Sequence, residues 1–255
     1  MGGSMGDAAE GKKPYCTVIL LAGGSGKRMG TDKPKQYLEI GGKPLLWYPL
    51  SILEKSKVAD DCILVVPQGD ISYVRECIVE AGSFSRVRAI VAGGQERYES
   101  VWKGLQAAEK GSDRQDVSPE IVMIHDGARP FLTEELLERC FLEAVKYGAC
   151  TAAVPSKDTV TISDGEGFER ETPDRKYVWN VQTPQAFRQE ILLPAFRKMA
   201  KELEQGDGRE RLAWVTDDVS VVRCYGGVKI RLVQGDYRNI KVTTAEDLEV
   251  MKGLL

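Results

Sequence analysis

The sequence predicts an α/β protein with a single doubly wound, mostly parallel sheet and a projecting β-hairpin arm. Three observations carry that expectation. Short apolar runs alternate with segments of helical periodicity, the order expected of βαβ units. The runs are near-continuously apolar rather than alternating, as in strands buried on both faces. A polar, glycine-bearing cluster follows most of them, where parallel sheets of this kind bind ligands beyond the carboxyl ends of their strands.

Thr17–Leu21 (TVILL) reads as the first strand and runs into Ala22-Gly23-Gly24-Ser25-Gly26, then Lys27, Arg28 and Met29. After this loop, LLWYPLSILEKS has apolar positions recurring at three and four, a helix pattern. Asp61–Val66 is a second strand, Ile71–Ala81 a helix and Val87–Ala92 a third strand, which ends in Gly93-Gly94-Gln95-Glu96-Arg97. An amphipathic helix is expected from Ser100. Ile121–His125 is a fourth strand ending in Asp126-Gly127-Ala128-Arg129. Thr133 followed by Glu134 and Glu135 predicts a capped helix to about Tyr147. Cys150–Val154 is a fifth strand. Thr159–Ile162, a turn at Ser163–Gly167 and Phe168–Thr172 predict a hairpin with little apolar surface of its own. Trp179–Gln185 returns the chain to the body, Glu190–Glu204 is helical, and Thr216-Asp217-Asp218 caps a helix through Val222. Val228–Val233 is a last strand and Thr244–Leu254 a last helix.

Residues 14–255 form one domain in this scheme, with 157–183 as the arm and residues 1–13, small and glycine-rich, as a disordered leader. The 255 residues carry a net charge of −3. Nothing in that balance points to nucleic acid or an anionic membrane, so a phosphate ligand must be held by local cations. No apolar run approaches the roughly 18 residues of a membrane span. The six cysteines show no close pairing and there is one histidine. Free thiols in a reducing, cytoplasmic compartment are expected, without a zinc site. The four tryptophans are read as packing residues.

The opening loop is the centre of the chemistry. A strand ending in a glycine turn lets an anion approach backbone N–H groups that a Cβ would shield. Lys27, Arg28, Lys33 and Lys35 follow at once. A P-loop requires a hydroxyl residue after Gly26-Lys27, and Arg28 stands there. A dinucleotide fingerprint requires a small residue where Met29 stands. By itself the turn admits a phosphate site or a tight connection.

AGGSGKRM followed by DKPKQYLEIGGKPLL resembles the signature of nucleotidyltransferases that activate sugars and polyols. GGQERYESV, HDGARPF, PSKDTV, PDRKYVWNVQTPQAF, TDD and NIKVTTAEDL follow in that order. Together they resemble the 2-C-methyl-D-erythritol 4-phosphate cytidylyltransferase family of the non-mevalonate isoprenoid pathway. The resemblance spans Cys16–Leu254 and implies a Rossmann-like nucleotidyltransferase fold. It implies attack of a phosphate monoester on the α-phosphorus of CTP with loss of pyrophosphate and with Mg²⁺ as cofactor.

Residue roles come with the resemblance. Arg28, Lys35 and Lys241 would be the catalytic cations. Ala22, Gly23, Gly94, Gln95 and Ser100 would contact cytosine, and the loop backbone at Gly24 and Gly26 the triphosphate. Asp126 would lie near the ribose and the metal. Arg129 and Thr159 would bind the acceptor phosphate. Arg175 would reach from the arm into a partner subunit, which implies a homodimer. His125 is read as a structural residue, because a phosphate monoester is largely ionised near neutral pH and needs no base. The ribitol-5-phosphate cytidylyltransferases share most of these motifs. An NAD-dependent oxidoreductase would need an acidic strand end about 20 residues past the glycine turn, where Leu38–Pro44 is a glycine-rich loop. A non-catalytic nucleotide-binding module would have no reason to keep Arg28, Lys35, Asp126 and Lys241 together.

Overall fold

The computed structural model describes residues 12–24, 34–110, 118–206 and 212–254. In chain order its first half comprises β1 (Cys16–Leu21), β2 (Glu39–Ile40), β3 (Lys43–Pro44), α1 (Trp47–Lys55), β4 (Asp61–Val66), α2 (Ile71–Val74), β5 (Val87–Ala92) and α3 (Arg97–Glu109). There follow β6 (Ile121–Asp126), α4 (Glu134–Tyr147), β7 (Ala149–Pro155), β8 (Ile162–Ser163), β9 (Glu169–Glu171), β10 (Trp179–Arg188) and α5 (Gln189–Glu204). A short helix at Asp218–Val221, β11 (Arg231–Gln234) and a helix at Ala245–Lys252 close the described chain.

Seven strands form the central sheet in the order β11-β7-β10-β6-β1-β4-β5. β1 is parallel to β4 and β6, β4 to β5, and β7 to β11. β10 runs antiparallel between β6 and β7. The sequence reading treats Trp179–Gln185 as a return segment. It is instead the start of a ten-residue strand inside the sheet. Its polar stretch Gln182-Thr183-Pro184-Gln185 hides the strand pattern, although all four residues are buried.

Alternate strand residues face opposite layers, as the period of two requires. Val18, Leu20, Leu64 and Met123 pack with α1, α2 and α4, including Leu50, Val74 and Leu136. Ile19, Ile63, Val65 and Ile124 face α3 and α5, including Val101, Leu105 and Phe196. Burial on both faces explains why these strands read as continuous apolar runs.

Helix termini differ in how legible they are. Thr133 caps α4, its side chain accepting from the Leu136 N–H, and Asp217 caps the short helix through the Ser220 N–H. α3 begins at Arg97, earlier than expected, because Glu96 and Glu99 form a reciprocal capping box. The Ile71–Ala81 helix is one α-helical turn that widens to a π-helix over Arg75–Glu80. Trp47 packs edge-on against Phe84 as a packing residue should, but Trp214 is 71% exposed, contrary to expectation. Cys16, Cys62, Cys140 and Cys150 are buried free thiols.

A third apolar cluster fixes the rim of the site. Ile40 and Leu45, beside the β2–β3 hairpin, pack on Val242 and Met251 of the C-terminal segment. The Val242 N–H donates to Ala128 O at 2.9 Å, tying that segment to the turn after β6. The arm is the small antiparallel pair β8–β9, with Phe168 and Tyr177 70% and 75% exposed.

Candidate active site

The loops after β1, β5 and β6 continue the ladders of the sheet and therefore converge. The Ala22 N–H donates to Val65 O at 2.7 Å, the Gly93 N–H to Val66 O at 2.8 Å and the Gly127 N–H to Leu21 O at 2.8 Å. They enclose a cleft of about 210 Å³. Gly23 and Gly24 form one wall, and Gly94, Gln95 and Ser100 a second. Asp126, Ala128, Lys35 and Lys241 complete the lining, with the Lys35 side chain beside Gly24. A hollow of about 440 Å³ at Pro14, Pro119 and Glu120 lies at the opposite, amino-terminal ends of β1 and β6. Ligands of parallel sheets bind at the carboxyl ends, so the smaller cleft is the candidate.

The second wall is held from beneath. Ser100 Oγ accepts from the Gly94 N–H at 3.0 Å and donates to Glu96 O at 3.3 Å. Glu99 Oε2 accepts from the Gln95 N–H at 2.7 Å and the Glu96 N–H at 3.3 Å. A Cβ on Gly94 would collide with the Glu99 side chain, so glycine is needed for this close approach. Gln95 thus lines the cleft with its backbone fixed.

Charge concentrates on Asp126. Lys241 Nζ lies 2.8 Å from Oδ2, Arg129 Nε 3.7 Å from Oδ2 and Arg97 Nε 3.4 Å from Oδ1. Burial alone would push this carboxyl up, but Arg97, Lys241 and Arg129 together hold it well below the usual carboxylate range. Arg129 also donates to Asn239 O at 2.6 Å, and Lys35 Nζ to Val242 O at 3.0 Å. The C-terminal segment is therefore the hinge on which cations from distant parts of the chain meet.

The sequence-derived residues fall into three groups. Ala22, Gly23, Gly24, Lys35, Gly94, Gln95, Ser100, Asp126 and Lys241 line the cleft or adjoin it, and Arg129 reaches it through Asp126. Thr159 and Arg175 pair with each other on the arm, Arg175 Nη2 donating to Thr159 Oγ1 at 2.9 Å, away from the cleft walls. Gly26 and Arg28 lie outside the described residues.

The model of the family IspD, 2-C-methyl-D-erythritol 4-phosphate cytidylyltransferase, matches residues 16–255. The chain belongs to this family. It is 44% identical over 236 residues to the 2-C-methyl-D-erythritol 4-phosphate cytidylyltransferase of Lachnospira eligens, across 92% of this chain and 96% of that one. The enzyme of the same name from Lachnoclostridium phytofermentans is 43% identical over 239 residues, across 94% and 95% of the two chains. Among solved structures, the 4-diphosphocytidyl-2C-methyl-D-erythritol synthase of Anaerococcus prevotii superposes with a TM-score of 0.76 at 31% identity. That superposition covers 95% of this chain and 99% of that chain.

Within this IspD-family site, Arg97 is left without a role by the sequence, and Asp218 is given a different one. Arg97 lines the cleft and donates from Nη1 and Nη2 to the two oxygens of Asp218, at 2.9 and 2.7 Å. Asp218 was expected to share in a helix cap; Asp217 does the capping and Asp218 is a buried ion-pair partner. Burial pushes the Asp218 carboxyl up, against the pull of Arg97. The signal in the sequence was the polar cluster Gly93–Arg97 itself, but nothing there names a partner so far along the chain.

His125 is fully buried, and burial lowers its pKa from 6.5 to about 4. Its Nε2 faces Arg129 O at 3.1 Å, so Nε2 carries the proton. Nδ1 then accepts from Thr183 Oγ1 at 2.9 Å, and Thr183 Oγ1 accepts from the Asp126 N–H at 3.1 Å. The neutral imidazole thus braces the 126–129 turn, in keeping with a structural role.

Proposed function

We propose that this chain is a cytidylyltransferase joining CTP to 2-C-methyl-D-erythritol 4-phosphate, giving 4-diphosphocytidyl-2-C-methyl-D-erythritol and pyrophosphate. The observation that carries the proposal is the cluster of Arg97, Arg129 and Lys241 around Asp126, with Lys35 lining the same glycine-walled cleft, in a chain of the IspD family. Both reactants are anions, so the principal task is to suppress their repulsion and to stabilise charge on the α-phosphate and leaving group.

The wall of Gly23, Gly94, Gln95 and Ser100 takes the cytosine, with backbone groups held rigid by Ser100 and Glu99. Lys35 and Lys241, with Arg28 of the opening loop, hold the triphosphate and the acceptor phosphate. An acceptor phosphate oxygen attacks the α-phosphorus. A new P–O bond forms to the acceptor, the bond from the α-phosphorus to the bridging oxygen breaks, and pyrophosphate leaves with that electron pair. Near neutral pH the acceptor monoester is already largely ionised, so no protein base enters the step.

Magnesium fits the site as a shared ion. Among the described residues no three His, Cys, Asp or Glu side chains gather as ligands. Mg²⁺ in nucleotide sites takes one or two carboxylates plus substrate phosphates, and Asp126 offers one such carboxylate. When bound, the ion would neutralise and orient the triphosphate.

The arm gives the proposal its quaternary form. Thr159 and Arg175 are hydrogen-bonded to each other on an arm whose Phe168 and Tyr177 are exposed. A second copy covering that surface would receive both polar side chains together at its acceptor subsite, as a homodimer. No helix among the described residues is long and apolar enough to cross a membrane, which supports a soluble enzyme, and the buried free thiols accord with a cytoplasmic setting.

Pyrophosphate release in the presence of Mg²⁺, with each nucleoside triphosphate and each polyol phosphate in turn, tests the proposal. CTP with 2-C-methyl-D-erythritol 4-phosphate should be the preferred pair. Preference for ribitol 5-phosphate, or no turnover of CTP with either acceptor, would sink it.

A further inference from the structure

Two buried carboxylates face one guanidinium at the start of α3. The Arg97 fork is taken up by Asp218, at 2.9 and 2.7 Å, and its remaining Nε faces Asp126 Oδ1 at 3.4 Å. Asp218 is itself fixed. Its backbone N–H donates to Gln185 Oε1 at 3.0 Å, and Gln185 Nε2 donates to Asp217 Oδ2 at 2.9 Å. Asp218 is only 1% exposed, so its carboxylate acts on a nucleotide through Arg97 alone. A buried ion pair is poor ground for stability, because desolvation offsets most of the Coulombic gain. What it supplies here is orientation, since the bidentate arginine cannot turn without breaking two charge-assisted hydrogen bonds.

The other side of Asp126 is held more loosely. Its Oδ2 takes Lys241 at 2.8 Å, on a flexible stem that is 37% exposed. Phosphates entering the cleft compete for that ammonium group. A carboxylate released by Lys241 keeps Arg97, and Arg129 at 3.7 Å from the same oxygen, as its counter-ions against the incoming anions.

We propose that Arg97, locked by Asp218, is a positioning residue that keeps Asp126 oriented and neutralised while Lys241 transfers from the carboxylate to the phosphates of the reactants. This rests on the cytidylyltransferase reading above. Arg97, alongside Arg129, is then a permanent counter-ion of Asp126 and Lys241 the exchangeable one. Asp218, from behind the wall, sets the angle at which Arg97 meets Asp126.

Three variants test this, by turnover, by calorimetric CTP binding and by thermal melting. Arg97→Lys keeps the charge but cannot span both carboxylates. Its kcat should fall by about 10- to 100-fold, as for the loss of other orienting partners, while its Kd for CTP moves less than about threefold. Arg97→Gln strands Asp218 without a cation and should lower the Tm. Adding Asp218→Asn restores an amide pair and should recover the Tm, yet leave kcat at least about tenfold down. Arg97→Lys with kcat within tenfold of the wild type, or a double variant that recovers turnover together with Tm, overturns the inference and leaves the pair as scaffolding. Wild-type protein that turns over no CTP would instead refute the underlying activity, so the two failures are distinguishable.

Discussion

Replacing Lys241 with methionine separates its work in the fold from its work in the reaction. The Nζ group lies 2.8 Å from Asp126 Oδ2, with the lysine side chain 37% exposed. Methionine retains most of the apolar stem and removes the charge. In the unliganded fold Asp126 keeps Arg97 at 3.4 Å and Arg129 at 3.7 Å, so the carboxylate is not stranded. A partly exposed pair in that position contributes about 0–1 kcal/mol, and a chain of this size should lose at most about 4 °C in Tm. In the proposed reaction Lys241 stands beside the reacting phosphates in the transition state. Losing one well-placed electrostatic group there costs about 3–4 kcal/mol, or 10²–10³-fold in kcat. Pyrophosphate release at saturating substrates, alongside thermal melting, measures both quantities on one preparation. A Tm lowered by more than about 8 °C with kcat within tenfold of the wild type would show Lys241 to be a structural counter-ion and refute its catalytic placement.

Three other perturbations probe the remaining parts. Gly94→Ala drives a Cβ into the Glu99 side chain and disturbs the box that caps α3; we expect a loss of about 1–2 kcal/mol in stability and a raised KM for CTP, with kcat less affected, by denaturation and steady-state kinetics. His125, with a pKa lowered from 6.5 to about 4 by burial, stabilises the fold in its neutral form. Stability from this group is complete above pH 6.5 and declines as pH falls towards 4, because the unfolded chain then binds the proton first. The decline should reach about 3 kcal/mol and be absent from the stability curve of His125→Gln, measured by urea denaturation at stepped pH. Phe168→Asp places a charge on the exposed arm and should shift sedimentation towards monomer with a parallel loss of turnover; an unchanged sedimentation profile would argue against an arm-mediated dimer.

How much of the protein was legible followed from where its signals lie. β1, β4 and β6 could be read because strands buried on both faces must be apolar throughout, and Thr133 and Thr244 are ordinary caps. β10 was missed because Gln182, Thr183 and Gln185 are buried through hydrogen bonds, including Gln182 Nε2 to Asp236 O and Asn239 Nδ2 to Thr183 O, both at 2.8 Å. Such satisfaction is tertiary and leaves no periodic trace. The start of α3 was misplaced because its cap is glutamate, outside the usual Ser, Thr, Asp or Asn set. The glycines, lysines and Asp126 of the cleft were found by motif, but the reason they meet was not. That reason is the packing of Ile40 and Leu45 on Val242 and Met251, which brings Lys241 against the turn after β6. Arg97 went unassigned for a similar reason, since its partner Asp218 is distant in sequence and looked like a helix cap.

In the proposed reaction the cytidylyl group passes directly to a phosphate acceptor in the cation-lined cleft. Phosphorus NMR of CTP and 2-C-methyl-D-erythritol 4-phosphate incubated with the protein and Mg²⁺ measures this most directly. The monoester signal should disappear as the paired signals of a diphosphate diester and an equal amount of pyrophosphate appear. Release of inorganic phosphate or CMP with the monoester signal intact would contradict it.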